Sequence, residues 1–148
     1  MSAICVFTNN MNKKISGTVI FKETKRGLQI KINMSGISHG LHGFHIHEFG
    51  DLSEGCGSLC SHFNPTNSVH GGRDSPDRHL GDLGNIIADN SGNVDMVIYD
   101  KYLTIEGKYG ILGRSVVIHA GEDDLGLGGL DEKGNAVDEK VREESLKT

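Results

Sequence analysis

A chain of 148 residues without a linker-like run of Pro, Gly or Ser has room for one domain, which at this size buries about two thirds of its unfolded surface. A formal net charge of −5 excludes nucleic acid and anionic membrane as natural partners, because both attract clustered Lys and Arg, and no apolar run approaches the ~18 residues of a membrane-spanning helix. The opening MSAICVFTNN has no basic segment followed by a long apolar stretch, so the expectation is a soluble, cytoplasmic protein.

Helix-period segments are few, Gly is abundant at 21 and Trp is absent, a balance that favours short strands joined by turns. Alternation predicts strands over residues 3–7, 15–21, 28–34, 41–48, 83–88, 94–99 and 115–119, bounded by Gly, Asn, Asp and Ser. The clearest is Leu28-Gln29-Ile30-Lys31-Ile32-Asn33-Met34, apolar at every second position, as a strand with one buried and one wet face requires. Residues 89–93, DNSGN, read as a hairpin connection with a residue suited to positive φ. Strands with turn signals at this spacing make an all-β sandwich or barrel.

Between Gly40 and Asp82 the chain carries six of its eight histidines. His45-Ile46-His47 lies in a predicted strand, where alternation puts both imidazoles on one face and Ile46 on the other. The further candidates His62, His70, His79 and Asp82 follow in a segment broken by Gly55, Gly57, Pro65, Gly71, Gly72 and Pro76, a long irregular loop of the kind that is usually functional. Three histidines with one carboxylate suit tetrahedral zinc, and an all-imidazole site with an open face suits copper.

The ordered set GLHGFHIHEFGD, SHFNP, HGG, RHLGDLGNI, then Leu112-Gly113-Arg114 before VVIHA, and DDLGLGG resembles the copper/zinc superoxide dismutase family over residues 3–135. The resemblance implies a Greek-key β-barrel or sandwich of seven to eight antiparallel strands with a long metal-binding loop and an electrostatic-type loop. It implies copper at His45, His47, His62 and His119, zinc at His62, His70, His79 and Asp82, and catalysis through the bridging His62. Asp123 matches the family's carboxylate that accepts hydrogen bonds from one copper and one zinc histidine, and His42 falls at a structural histidine. His39 matches no role. The implied substrate is the superoxide anion, converted to oxygen and hydrogen peroxide, and the implied assembly is a homodimer through positions such as Phe49-Gly50 and Ile111-Leu112-Gly113.

The end of the chain departs from the family. After Gly134-Asn135-Ala136 comes VDEKVREESLKT, where the family has an active-site arginine, a cysteine and an apolar closing strand. Residues 1–136 are therefore expected to form the domain and 137–148 a polar tail. Glu139 takes the arginine's place without gaps; Lys140 or Arg142 substitutes after a shift, or neither does. Cys56 matches the family's loop cysteine without its usual partner, and with Cys5 and Cys60 three single pairings are open. A metal-binding protein that has lost substrate steering is the alternative reading.

Overall fold

The alternation in residues 28–34 dictates the first sheet. The computed structural model describes residues 1–7, 15–50 and 61–126, and in it this run is β3 (Gly27–Ser35). Leu28, Ile30, Ile32 and Met34 are all buried, while Lys31 and Asn33 between them are exposed. Each such aliphatic chain contributes about 1.5–3 kcal/mol by leaving water. The sheet runs β1 (Ser2–Phe7), β2 (Ser16–Thr24), β3, β6 (Val94–Asp100) in that order, every pair antiparallel. Its register sets Phe21 beside Ile30 and Ile30 beside Ile98, an apolar row on one face. The next row, Ile20, Lys31 and Val97, faces solvent. These strands belong to a unit formed by residues 1–41 and 86–112.

The second unit comprises residues 42–85 and 113–148. Its sheet has the order β5 (Asp82–Ala88), β4 (Gly40–His47), β7 (Ser115–Ile118), with β4 central and antiparallel to β7. Phe44, Ile46, Leu83 and Val117 are buried here, together with Phe63 and Leu80 from the long loop. The seven strands among the described residues fall where alternation predicts them, shifted by a residue at several ends, except that β2 runs on to Thr24, three residues past its expected end, and all-β is the fold class.

The turn at residues 89–93 has the expected chemistry. Asp89 Oδ1 accepts the amides of Ser91 and Asn93, and Gly92 takes φ 79. It is not a hairpin, however, because β5 pairs with β4 and β6 pairs with β3. Alternation fixes which face a strand presents and carries no information about its neighbour.

Candidate metal centre

The centre starts from β4. His45 and His47 are both buried on the face opposite Ile46, and their register partners on β7 are Val117 and Ser115. Directly after β7 comes His119, 2% exposed, whose amide bonds to the Gly43 carbonyl at 2.8 Å. His62 is brought to the end of β4 by a single bridge to His47 and by the Glu48 amide on the Ser61 carbonyl. One donor from each of His45, His47, His62 and His119 lies within 4.8 Å of the others.

Why the loop holds its shape is a matter of polar staples. Phe63 bonds through its amide to the Ile46 carbonyl and through its carbonyl to the Gly81 amide, each at 2.8 Å. The Arg114 guanidinium lies 3.6 Å from the Phe63 ring centroid and donates to the Glu48 carbonyl. Buried Arg78 donates to three carbonyls, those of Arg73, His79 and Leu80. Sequence pattern gave no sign of this arginine; only its Gly- and Pro-rich surroundings hinted that something other than a ladder must satisfy the backbone.

A second set forms around Asp82, which is fully buried. His62 Nδ1 lies 2.8 Å and His79 Nδ1 3.3 Å from its Oδ1, and His70 Nδ1 lies 3.1 Å from its Oδ2. His62 Nδ1 and His79 Nδ1 are 3.2 Å apart. A tetrahedron with zinc–nitrogen bonds of about 2.0–2.1 Å has edges of about 3.3–3.4 Å, so the His62 and His79 nitrogens and Asp82 Oδ1, 2.8 to 3.3 Å apart, come near zinc's donor spacing, with His70 on the other carboxylate oxygen. His45, His62, His70 and Asp82 also bring donors within 4.8 Å of one another. That grouping meets the first set at His45 as well as His62, whose rings stack with centroids 4.0 Å apart, whereas the set of His62, His70, His79 and Asp82 shares His62 alone with it.

Burial lowers the His62 imidazole to about 3 against the raising effect of Asp82, so the ring is neutral at physiological pH. For Asp82, burial alone pushes the carboxyl up; hydrogen bonds from His62, His70 and His79 more than reverse this and hold it below the usual carboxylate range. A neutral His62 imidazole facing an ionised Asp82 carboxylate has the protonation states metal ligation needs.

Asp123 stands behind both sets. Its Oδ1 is 2.9 Å from His70 Nε2 and 3.2 Å from His45 Nε2. Such partners fix tautomer and ring direction. With Nε2 of each ring turned to Asp123, Nδ1 is the atom left to face a metal. His42, buried, donates from Nδ1 to the His119 carbonyl at 2.7 Å and so supports the backbone of the centre. Gly43, which sequence reasoning missed, sits where space is tight: a Cβ there would stand 3.1 Å from His45 Cε1 and 3.2 Å from His119 Cδ2. Cys5, half-buried in β1, is a free thiol whose pKa burial pushes up. Cys56, Cys60, Glu139, Lys140 and Arg142 lie outside the described residues.

A β-protein with two four-donor histidine sets sharing one imidazole is a two-metal protein by its donor chemistry. Copper/zinc superoxide dismutase is the family whose pattern matches it, over residues 15–141. A copper/zinc superoxide dismutase of Paramecium bursaria Chlorella virus 1 is 47% identical over 140 residues, covering 92% of this chain and 73% of the relative. Cu-Zn superoxide dismutase 4 of Dictyostelium discoideum is 47% identical over 132 residues, covering 87% and 85%. An extracellular Cu-Zn superoxide dismutase of Brugia pahangi is 43% identical over 147 residues, covering 99% and 69%. The chain belongs to the copper/zinc superoxide dismutase family.

Proposed function

We propose that this enzyme disproportionates superoxide with copper held by His45, His47, His62 and His119 and zinc held by His62, His70, His79 and Asp82. The observation that carries the reading is the sharing of His62. Its Nδ1 meets Asp82 and His79, which leaves Nε2 as the donor toward the all-imidazole set. Copper, when bound, supplies the one-electron chemistry, taking an electron from one superoxide and giving it to a second, while zinc undergoes no redox change.

The chain's own residues have distinct tasks. His45, His47 and His119 present imidazoles from β4 and the end of β7, rigid elements that fix their directions. His62 carries a proton at Nε2 to the departing peroxide, the usual role of a positioned imidazole. Asp82 and His79 at Nδ1 fix the direction of that ring, and zinc, when bound there, would hold it further. Asp123 keeps His45 and His70 in the tautomer whose Nδ1 is a lone pair. Two superoxide ions and two protons give one oxygen and one hydrogen peroxide.

We read residues 1–136 as the catalytic domain and 137–148 as a polar tail, with Lys140 or Arg142 as the candidates for an anion-holding cation. A homodimer is supported by Phe49 and Leu112, 51% and 56% exposed, at positions that resemble the family's subunit contacts. The cytoplasm is the proposed compartment; the Brugia pahangi relative is named extracellular, and cell fractionation separates the two.

The test is superoxide dismutation by the chain loaded with copper and zinc, with metal content measured on the same sample. Rapid turnover at one copper and one zinc per chain is the expected result. Full metal with no dismutation would overturn the catalytic reading in favour of a metal-binding protein that lacks steering.

A further inference from the structure

We infer that Asn85 is a positioning residue for both metal sites at once, acting through the backbone of Asp123; this rests on the metal assignments proposed above. Asn85 follows Asp82 by three residues in β5, and strict alternation would send the two side chains to opposite faces. Gly84, at φ 76 within the strand, breaks that alternation. Leu83 and Ile86, also three apart, are accordingly both fully buried.

The Asn85 amide then makes a reciprocal pair with one residue. Its Oδ1 accepts the Asp123 amide at 2.6 Å and its Nδ2 donates to the Asp123 carbonyl at 3.1 Å. Only a side chain with a donor and an acceptor on one planar group satisfies both. A carboxylate would set a negative charge against the carbonyl, and a shorter hydroxyl would leave one group unmet.

The turn that follows depends on this hold. Leu125 adopts φ 60, sparsely populated for a residue with a Cβ, and its amide donates to Asp123 Oδ2 at 3.0 Å. A Cβ on Gly126 would meet the His70 carbonyl at 2.4 Å, so the turn lies directly on the zinc-side chain. With its backbone clamped by Asn85 and one carboxylate oxygen engaged by Leu125, Asp123 has a single direction in which to offer Oδ1, and there it meets one imidazole from each set. The strand that supplies Asp82 therefore also sets the angle of the copper-side His45.

The test is a double-variant cycle with Asn85→Ala and Asp123→Ala, read by zinc affinity in chelator competition and by the electron paramagnetic resonance spectrum of bound copper. Outer partners of metal-bound histidines are worth 10–100-fold in affinity, and an indirect one is expected near the low end, about tenfold. The expected result is that Asn85→Ala weakens zinc about tenfold, shifts the copper spectrum, and adds nothing in the Asp123→Ala background. Losses that multiply in the double variant, or an Asn85→Ala protein with wild-type zinc affinity and copper spectrum, would overturn the proposal. If Asn85→Ala does not fold, Asn85→Asp keeps the acceptor and loses the donor; an unchanged copper spectrum and zinc affinity there would overturn it equally. Hydrogen exchange in the metal-free chain separates this idea from the metal assignment. Protection of the Asp123 amide that vanishes in Asn85→Ala supports the clamp even in a wild-type chain that binds neither metal, and protection that survives the substitution refutes it.

Discussion

His42 holds His119 by its main chain: the His42 Nδ1–H donates to the His119 carbonyl at 2.7 Å, joining β4 to the residue just beyond β7. The bond is buried, so deleting the donor strands a carbonyl away from water at a cost of about 1–3 kcal/mol. His42→Phe is expected to lower unfolding free energy by that amount in denaturant titrations. It should also disturb the copper spectrum while leaving zinc affinity near its wild-type value, because the bond it removes runs to a copper-side ligand.

Gly43 predicts a steric counterpart. A methyl group there has to push His45 or His119 by a few tenths of an ångström, since its nearest ring carbons stand at 3.1 and 3.2 Å. Misplacement of reacting groups by an ångström costs up to about a hundredfold, so Gly43→Ala should reduce dismutation by about tenfold with copper still bound. Metal analysis beside the rate measurement separates this from loss of copper.

The pH dependence of the metal-free chain follows from His62. Its imidazole is held to about 3 in the fold against an ordinary 6.5, so below pH 6.5 the unfolded chain takes up a proton that the folded chain refuses. Stability is then fully present above pH 6.5 and falls as the pH drops, by about 3 kcal/mol at pH 4. Asp82 acts in the same sense at lower pH, because its carboxyl, held low in the fold, protonates first in the unfolded chain. Urea titrations of the metal-free protein between pH 8 and pH 4 should show this slope, and His62→Gln should flatten its upper part.

Asp82 also predicts the result of its own removal. In Asp82→Ala the buried His62 and His70 and the part-buried His79 lose the carboxylate they share, and breaking a buried pair from one side costs about 3–5 kcal/mol. Zinc binding should be lost and the melting temperature of the metal-free chain should fall with it.

A net charge of −5 repels an anionic substrate. At a range of ~20 Å in water that repulsion is about 0.5 kcal/mol in 10 mM salt and nearly gone at 150 mM, so the dismutation rate constant should rise about twofold between the two. A rate that falls with added salt would instead reveal a local cation overriding the net charge, and Lys140→Gln and Arg142→Gln would identify it.

Much of this molecule is written in local pattern. Leu28 to Met34 announces its buried face because a strand repeats every two residues, and His45-Ile46-His47 announces a pair of converging imidazoles for the same reason. The loop donors His62, His70, His79 and Asp82 stood out by residue type and order. What stayed hidden depends on partners distant in sequence. The Asn85 amide serves a backbone 38 residues away, and Gly43 matters for the His45 ring on its own strand and for the His119 ring just beyond β7. The switch of partner between β5 and β6 was illegible because a turn has the same chemistry whether or not the strands it joins pair with each other.

The two backbone amides on Asp82 say where this chain can change in length. Oδ2 accepts the Gly71 amide and the His79 amide, each at 2.9 Å, closing residues 71–82 into a ring around a single oxygen. An insertion between Gly71 and His79 has to bulge outward without moving either end. By contrast, the Asn64–Ser68 turn is closed by its own side chain, through Asn64 Oδ1 and Nδ2, and lies outside that ring. Extra residues at positions 65–67 can be absorbed there, while the ring keeps one length.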